Sequence, residues 1–220
     1  WFKKMVYAGV FLVFALCLIF TFSRGAWLAV IISMLLIGLW FDKRVLILMV
    51  LVALLTPTLM PSVYHRMSYM MSPEYLVSSE RGGRLGRWDL AVKDWQTAPA
   101  VGVGLGQFGG AVAARNYPES SFYADSWYLK VGTETGWIGL GATLLLILTG
   151  LRRARSSLNE TDDYYLKIMG LGILAGLVGI LAHNCVENVF EVPMMASYFW
   201  FFLGLVAAFP QVQKLSNDME

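Results

Sequence analysis

Charge is scarce in this sequence. Only 15% of its 220 residues are Asp, Glu, Lys or Arg, against about 25% in an average soluble domain. The formal net charge is +2, so no strong basic field points to a nucleic-acid partner. Cysteine is scarcer still. Cys17 and Cys185 both sit in apolar stretches, which suggests neither a disulfide framework nor a zinc site. Two histidines, His65 and His183, exclude a histidine-rich metal centre. What fills the chain instead is hydrophobic residues, 57% of the total. That content excludes a disordered chain and argues against an ordinary soluble globule.

The apolar residues fall in blocks at about 5–22, 26–41, 45–60, 132–151, 166–185 and 194–209. Several fall short of the roughly 20 residues of an ideal span. They lack the alternation of barrel strands, so helices are the expected spanning form. No small-x-small cleavage site follows the first block, which therefore reads as a span and not a signal peptide. The expected fold is an all-α integral membrane protein with about six transmembrane helices. Three lie in 1–60 and three in 132–211, with a large extracytoplasmic loop over 61–131 and a cytoplasmic tail over 212–220. Lys3, Lys4, Lys43, Arg44, Arg152, Arg153, Arg155, Lys167 and Lys214 then fall on the cytoplasmic side, as the positive-inside rule requires. Gly172 and Gly176 are four apart. They either permit close helix approach or reflect the ordinary glycine content of membrane helices. The chain begins at Trp1, not Met, and reads as a fragment of something longer.

A connector of this length is uncommon unless it is structured or functional. Within it, Leu85, Trp88, Ala91, Val92 and Trp95 recur at helical spacing, which predicts an amphipathic helix from Arg84 to Thr97 ended by Pro99. Such a helix suits the outer interface, its tryptophans in the headgroup layer. Gly102, Gly104, Gly106, Gly109 and Gly110 follow. Without a strand-to-helix context they do not read as a nucleotide-binding loop. They predict a tight turn that lets the loop close over a ligand.

The residues that carry chemistry are few. Arg24 stands at an outer junction, against the charge trend. It is either paired or exposed at a tight turn, or it is presented to an anionic headgroup or diphosphate, which a guanidinium fork matches well. Arg81, Arg84 and Arg87 either extend that anion site, or are solvated, or pair with Glu80 and Asp89. Asp125 either accepts a proton from a sugar hydroxyl or caps the helix that follows. Tyr123, Trp127 and Tyr128 either stack on sugar rings or anchor the interface. Glu134 lies nine residues after Asp125, off a single helix face. His183, Glu187 and Glu191 are four apart, a spacing that allows one helix face and a structural, a catalytic or a weak metal cluster.

Taken in order, these stretches resemble the O-antigen ligase and polymerase family, bacterial membrane proteins with Wzy-type and WaaL-type members. The resemblance rests on Thr21-Phe22-Ser23-Arg24-Gly25-Ala26 and on Gly83-Arg84-Leu85-Gly86-Arg87-Trp88. It continues through Pro99, Gly102, Gly104, Gly106 and Phe108, then Tyr128, Leu129, Glu134, Gly136 and Gly139. The last part is His183-Asn184 with Pro193 and Trp200. It covers about Thr21 to Leu205, the C-terminal half of a typical member.

The resemblance implies a GT-C-like fold and a membrane glycosyltransferase in the bacterial plasma membrane, with its active site extracytoplasmic. The donor would be a polyprenyl-diphosphate-linked glycan and the acceptor a saccharide or lipid-linked glycan. Membrane lipids and a chain-length regulator are further expected partners; no metal and no cofactor are expected. The family's two important arginines fall on Arg24 and Arg84. Asp125 stands where ligases carry a loop histidine, which weighs toward a polymerase, or a ligase of another cell-surface polymer. Catalysis is thus expected from Arg24, Arg84 and Asp125, and substrate binding from Arg81, Arg87, Tyr123, Trp127, Tyr128, Glu134, His183 and Glu187. The rivals are a small-solute or bicarbonate-type transporter and a non-catalytic assembly protein.

Overall fold

The computed structural model describes residues 1–40, 42–59, 65, 68–69, 72–81, 83–117 and 122–218. Every extended regular element among them is a helix. In chain order these are α1 (Phe2–Phe20), α2 (Arg24–Trp40), α3 (Arg44–Leu59), α4 (Pro73–Glu80), α5 (Arg84–Thr97), α6 (Gly110–Asn116), α7 (Trp127–Asn159), α8 (Tyr164–His183), α9 (Pro193–Ala207) and α10 (Phe209–Asn217). A 3₁₀ turn, Val189–Glu191, precedes α9.

The all-helical expectation holds among the described residues, but the expected six spans do not. Among the described residues, two helices, α7 and α8, are long and apolar enough to cross a membrane. The pair α9 and α10 qualifies only jointly, bent by 52°, so three spans is the upper count. Length is the reason. At about 1.5 Å per residue, the 17 residues of α2 and 16 of α3 reach roughly 25 Å, short of the ~30 Å hydrocarbon core. In α1 the apolar stretch Lys4–Phe20 is likewise one of the shorter helices. Phe41 and Met60, at the ends of two expected spans, lie outside the described residues. Residues 212–217, expected as tail, continue the helix α10.

The longest helix is broken. Gly136 sits at φ +65° inside α7, a backbone conformation that glycine adopts without a side-chain clash. A break frees backbone donors and acceptors, and each needs a new partner in apolar surroundings. The glycine-rich segment supplies them. Trp137 N donates to Pro99 O at 2.9 Å and Ile138 N to Ala100 O at 3.2 Å. In return Val103 N donates to Thr133 O at 2.9 Å and Gly104 N to Glu134 O at 3.0 Å. The two backbones approach so closely that a Cβ at Gly136 would lie 2.3 Å from Ala100 C, and one at Gly102 2.3 Å from Glu134 C. Of the glycines in the predicted tight turn, Gly102 and Gly104 take part in closing the helix break.

The tryptophans of α5 also turn inward. A Cβ on Gly132 would strike the Trp95 ring at 2.5 Å, and Trp95 stacks on Trp137 with centroids 4.2 Å apart. Thr133 Oγ1 donates to Ala91 O at 3.0 Å. The helix expected at the headgroup layer is therefore docked on α7. Beneath it, Lys130 donates to Phe108 O at 2.9 Å and Gly109 O at 2.7 Å and pairs with Glu134 at 3.3 Å. Glu134, only 6% exposed, also accepts from Phe108 N.

The apolar core lies where α7, α8, α9 and α10 meet, around Leu158, Leu174, Phe199, Val206 and Phe209. Antiparallel to α8 runs α2. Their close approach is made by Gly179, whose Cβ would lie 2.7 Å from Ala29 O. Gly172 and Gly176, whose spacing permits such an approach, face open space, as the alternative of ordinary glycine content allows. Replacing Gly136 by Ala is expected to destabilise the fold by about 1–3 kcal/mol through backbone strain and clash. Gly141→Ala, where the Cβ meets nothing within 4 Å, is expected to stay within about 1 kcal/mol of the parent. Thermal unfolding in detergent compares the two.

Candidate active site

Local sequence explains how Arg24 is presented. Thr21 Oγ1 donates to Leu18 O at 2.7 Å and accepts from Ser23 N at 3.2 Å, closing the α1–α2 turn. Ser23 Oγ accepts from Ala26 N at 3.3 Å, covering a free amide of α2. Phe22 takes φ +51°, a left-handed conformation uncommon outside glycine. Arg24 is therefore the first residue of α2, where the helix dipole disfavours a cation and favours an anion. Gly25 is needed because His183 lies against it: a Cβ there would be 2.6 Å from His183 Cδ2 and Nε2.

The same construction recurs at α5. Gly83 is its N-cap without a side-chain cap, and Ser79 Oγ accepts from Leu85 N at 3.2 Å. A Cβ at Gly83 or Gly86 would lie 2.6 Å from the backbone of Ser79 or Glu80. The glycines of Gly83-Arg84-Leu85-Gly86-Arg87 thus let the end of α4 press against the start of α5. Arg84 and Arg87 fall in the first turn of that helix, again at the end that attracts anions.

Both helix starts open on one cavity of about 480 Å³. Arg24, Arg84, Arg87, Asp125 and Glu187 line it, with Tyr75, Ser78 and Ser79 from α4. Arg84 pairs with Glu187 at 2.9 Å and Arg87 with Asp125 at 2.7 Å. Arg24 has no carboxylate partner among the described residues; its guanidinium lies 5.1 Å from the centre of the Tyr75 ring. Arg84 Nε is buried without a hydrogen-bond partner among them. Such a cluster of fork-shaped donors, one unpaired and one partly satisfied, fits a phosphate or diphosphate.

Asp125 does not cap α7. Ser126 does, its hydroxyl accepting from Leu129 N, which leaves the Asp125 carboxylate to Arg87. Its backbone oxygen accepts from Trp88 Nε1 at 3.3 Å. Burial, with Asp125 as a like-charged neighbour, raises the Glu187 carboxyl above its ordinary 4.5, against the lowering pull of Arg84. Burial and then the charges of Glu187, Glu191 and Asp125 raise the Tyr123 phenol.

The other expected residues lie around the cavity. Tyr123 donates to Asn188 O at 3.0 Å and its carbonyl accepts from Arg87. Trp127 packs edge-on against Phe190, 5.0 Å between centroids, and Tyr128 donates to Leu181 O at 3.0 Å. Trp127 thus fastens α7 to the 3₁₀ turn and Tyr128 to the end of α8, and both stand outside the cavity lining. So does Glu134, inside the loop clamp. Arg81, the C-cap of α4, is exposed and outside the lining too. His183 underlies Gly25, and its Nε2 is buried without a partner among the described residues. Glu191 is drawn away from His183 and Glu187; it accepts from Ala111 N at 2.9 Å and from Asn188. No group of three or more His, Cys, Asp or Glu among the described residues is arranged to hold a metal. Sequence reasoning missed Tyr75, Ser78 and Ser79; they precede the arginine motif by only a few residues, but no spacing tied them to it.

Residues 9–144 match the Wzy_C family, described as O-antigen ligase. No curated protein and no solved structure matches the chain. The matched stretch contains Arg24, Arg84, Arg87 and Asp125 and ends before Glu187. The chain belongs to that family, and it is a multi-span helical membrane protein of the ligase or polymerase type.

A raised carboxyl pKa sets the sign of a pH effect. The folded state holds the Glu187 proton more tightly than the unfolded chain does, so the group's contribution falls as pH rises above about 4.5. Glu187→Gln removes that fall. Its unfolding temperature is expected to rise relative to the parent's as pH is raised from about 4.5, measured by parallel thermal melts.

Proposed function

We propose that this O-antigen ligase family member transfers a glycan from a polyprenyl-diphosphate donor, and so polymerises or ligates cell-surface polysaccharide. The observation that carries this reading is the meeting of Arg24, Arg84 and Arg87 with Asp125 and Glu187 around one cavity at two helix starts. An anionic leaving group and a hydroxyl nucleophile need those two kinds of residue side by side.

In this reading Arg24 receives the diphosphate first, because it gives up no ion pair to do so. Arg84 and Arg87 then exchange their carboxylates for phosphate oxygens. The acceptor sugar hydroxyl gives its proton to a freed carboxylate, and its oxygen forms the new bond to the donor sugar C1. The C1–O bond to phosphate breaks, and the electron pair leaves with the polyprenyl diphosphate. The arginines stabilise the charge that develops there. Asp125 is the base expected from sequence. Glu187 joins it as a second choice, since a raised carboxyl pKa favours proton capture near neutral pH. Membrane lipid surrounds the donor's tail. The site faces the outer side of the bacterial plasma membrane, a placement supported by Arg152, Arg153, Arg155 and Lys167 at the opposite ends of α7 and α8.

Transfer from a purified polyprenyl-diphosphate glycan, followed with protein in detergent or vesicles, tests the reading. Arg24→Ala is expected to lower the rate by about 10²–10³-fold, the usual cost of losing one donor to a developing anion, with Arg24→Lys between it and the parent. An equally abundant, equally stable Arg24→Ala protein that transfers at the parental rate would refute the assignment. In a deletion strain, single repeats left on lipid indicate a lost polymerase, and long unattached polymer a lost ligase.

A further inference from the structure

A second cavity, of about 510 Å³, lies where the end of α2 meets α7 and α8. It is separated from Asp125 by roughly seven turns of α7. Its walls are of two kinds. Trp40, Leu151, Leu174 and Val178 make an apolar side. Arg152 and Arg155, three residues apart and so on one face of α7, make a cationic side. Arg153, between them in sequence, belongs to another face and is neutralised by Glu160 at 3.2 Å. The cavity-facing arginines have no carboxylate among the described residues. Arg155 is held instead by Asn159, whose Oδ1 accepts from Nη1 at 3.1 Å, an arrangement that fixes the guanidinium without cancelling its charge.

We infer that this cavity seats an anionic glycerophospholipid. Its phosphate would rest on Arg152 and Arg155, and an acyl chain would run along Leu151, Leu174 and Val178. Three observations favour this occupant. The pocket is amphiphilic in the same sense as a lipid. It sits near the end of a span, at the depth where tryptophan and arginine meet headgroups. Its charges are left unpaired while the neighbouring Arg153 is paired, and basic pockets between spans select anionic headgroups. The inference is independent of glycan transfer at the other end of the molecule.

The test uses the whole chain in vesicles of phosphatidylcholine with and without phosphatidylglycerol, with retained lipid read by native mass spectrometry. The parent is expected to retain phosphatidylglycerol over phosphatidylcholine. Arg152→Gln and Arg155→Gln are each expected to weaken that preference roughly fivefold, and the double variant to lose it, while Arg153→Gln keeps it. Ser156→Trp, at an exposed position on the cavity wall, fills the seat without touching the charges and is expected to expel the lipid. All these positions are exposed, and thermal melts check that each variant is folded. Parental retention by Ser156→Trp, or an equal effect of Arg153→Gln, would mean diffuse surface attraction and overturn the inference. Complete displacement by inorganic phosphate, with no dependence on the acyl chains, would mean a free-phosphate site and overturn it as well.

Discussion

A helix can be interrupted in apolar surroundings only where its freed amides and carbonyls find other partners, and Gly136 is where this protein meets that constraint. Four backbone hydrogen bonds exchanged with residues 99–104 close the break. The same exchange fixes the direction of the first part of α7, and with it the place of Asp125 just ahead of the helix. Trp95 on Gly132 and the Lys130 clamp on Phe108 and Gly109 add side-chain packing to what the backbone began. The loop is thereby a structural part of α7, and the amphipathic helix that carries Arg84 and Arg87 is held at a set distance from α8.

The cavity follows from that scaffold. Like-charged arginines at helix starts repel each other and oppose the helix dipoles. They are tolerated because Asp125 and Glu187 arrive from the segments on either side of the α7–α8 pair. Removing charges from water is costly, so the half-buried ion pairs depend on good geometry more than on proximity alone. Arg24 is treated differently, with an aromatic ring in place of a carboxylate. The site thus holds paired and unpaired cations side by side: Arg84 and Arg87 each on a carboxylate, Arg24 beside a ring.

Much of this was legible in the residues. The period of Leu85, Trp88, Ala91 and Trp95 locates α5 at Arg84–Thr97, the bounds observed. Arg24, Arg84, Arg87, Asp125 and Glu187 were all singled out by charge in an apolar chain, and one cavity unites them. The number of spans was not legible, because apolarity records a preference for lipid or core while crossing also demands length. Nor was the role of glycine. Gly172 and Gly176 have the spacing for close helix approach, yet Gly179 makes the approach, since α2 crosses there. Glu134 was expected to bind substrate; it lies outside the cavity lining and pairs with Lys130 four residues earlier, a contact its charge alone does not reveal.

Composition and periodicity alone determined a helical membrane protein with scarce charge, and the order of its motifs determined the family. Those properties are local: hydropathy, turn chemistry and motif order need no knowledge of what lies across the fold. Only the tertiary structure decided which charges meet, which glycines matter and which carboxylate is drawn toward Arg84. Each of those depends on a contact between residues far apart in sequence, such as Arg84 with Glu187 or Pro99 with Trp137, and no local pattern encodes the distance between them.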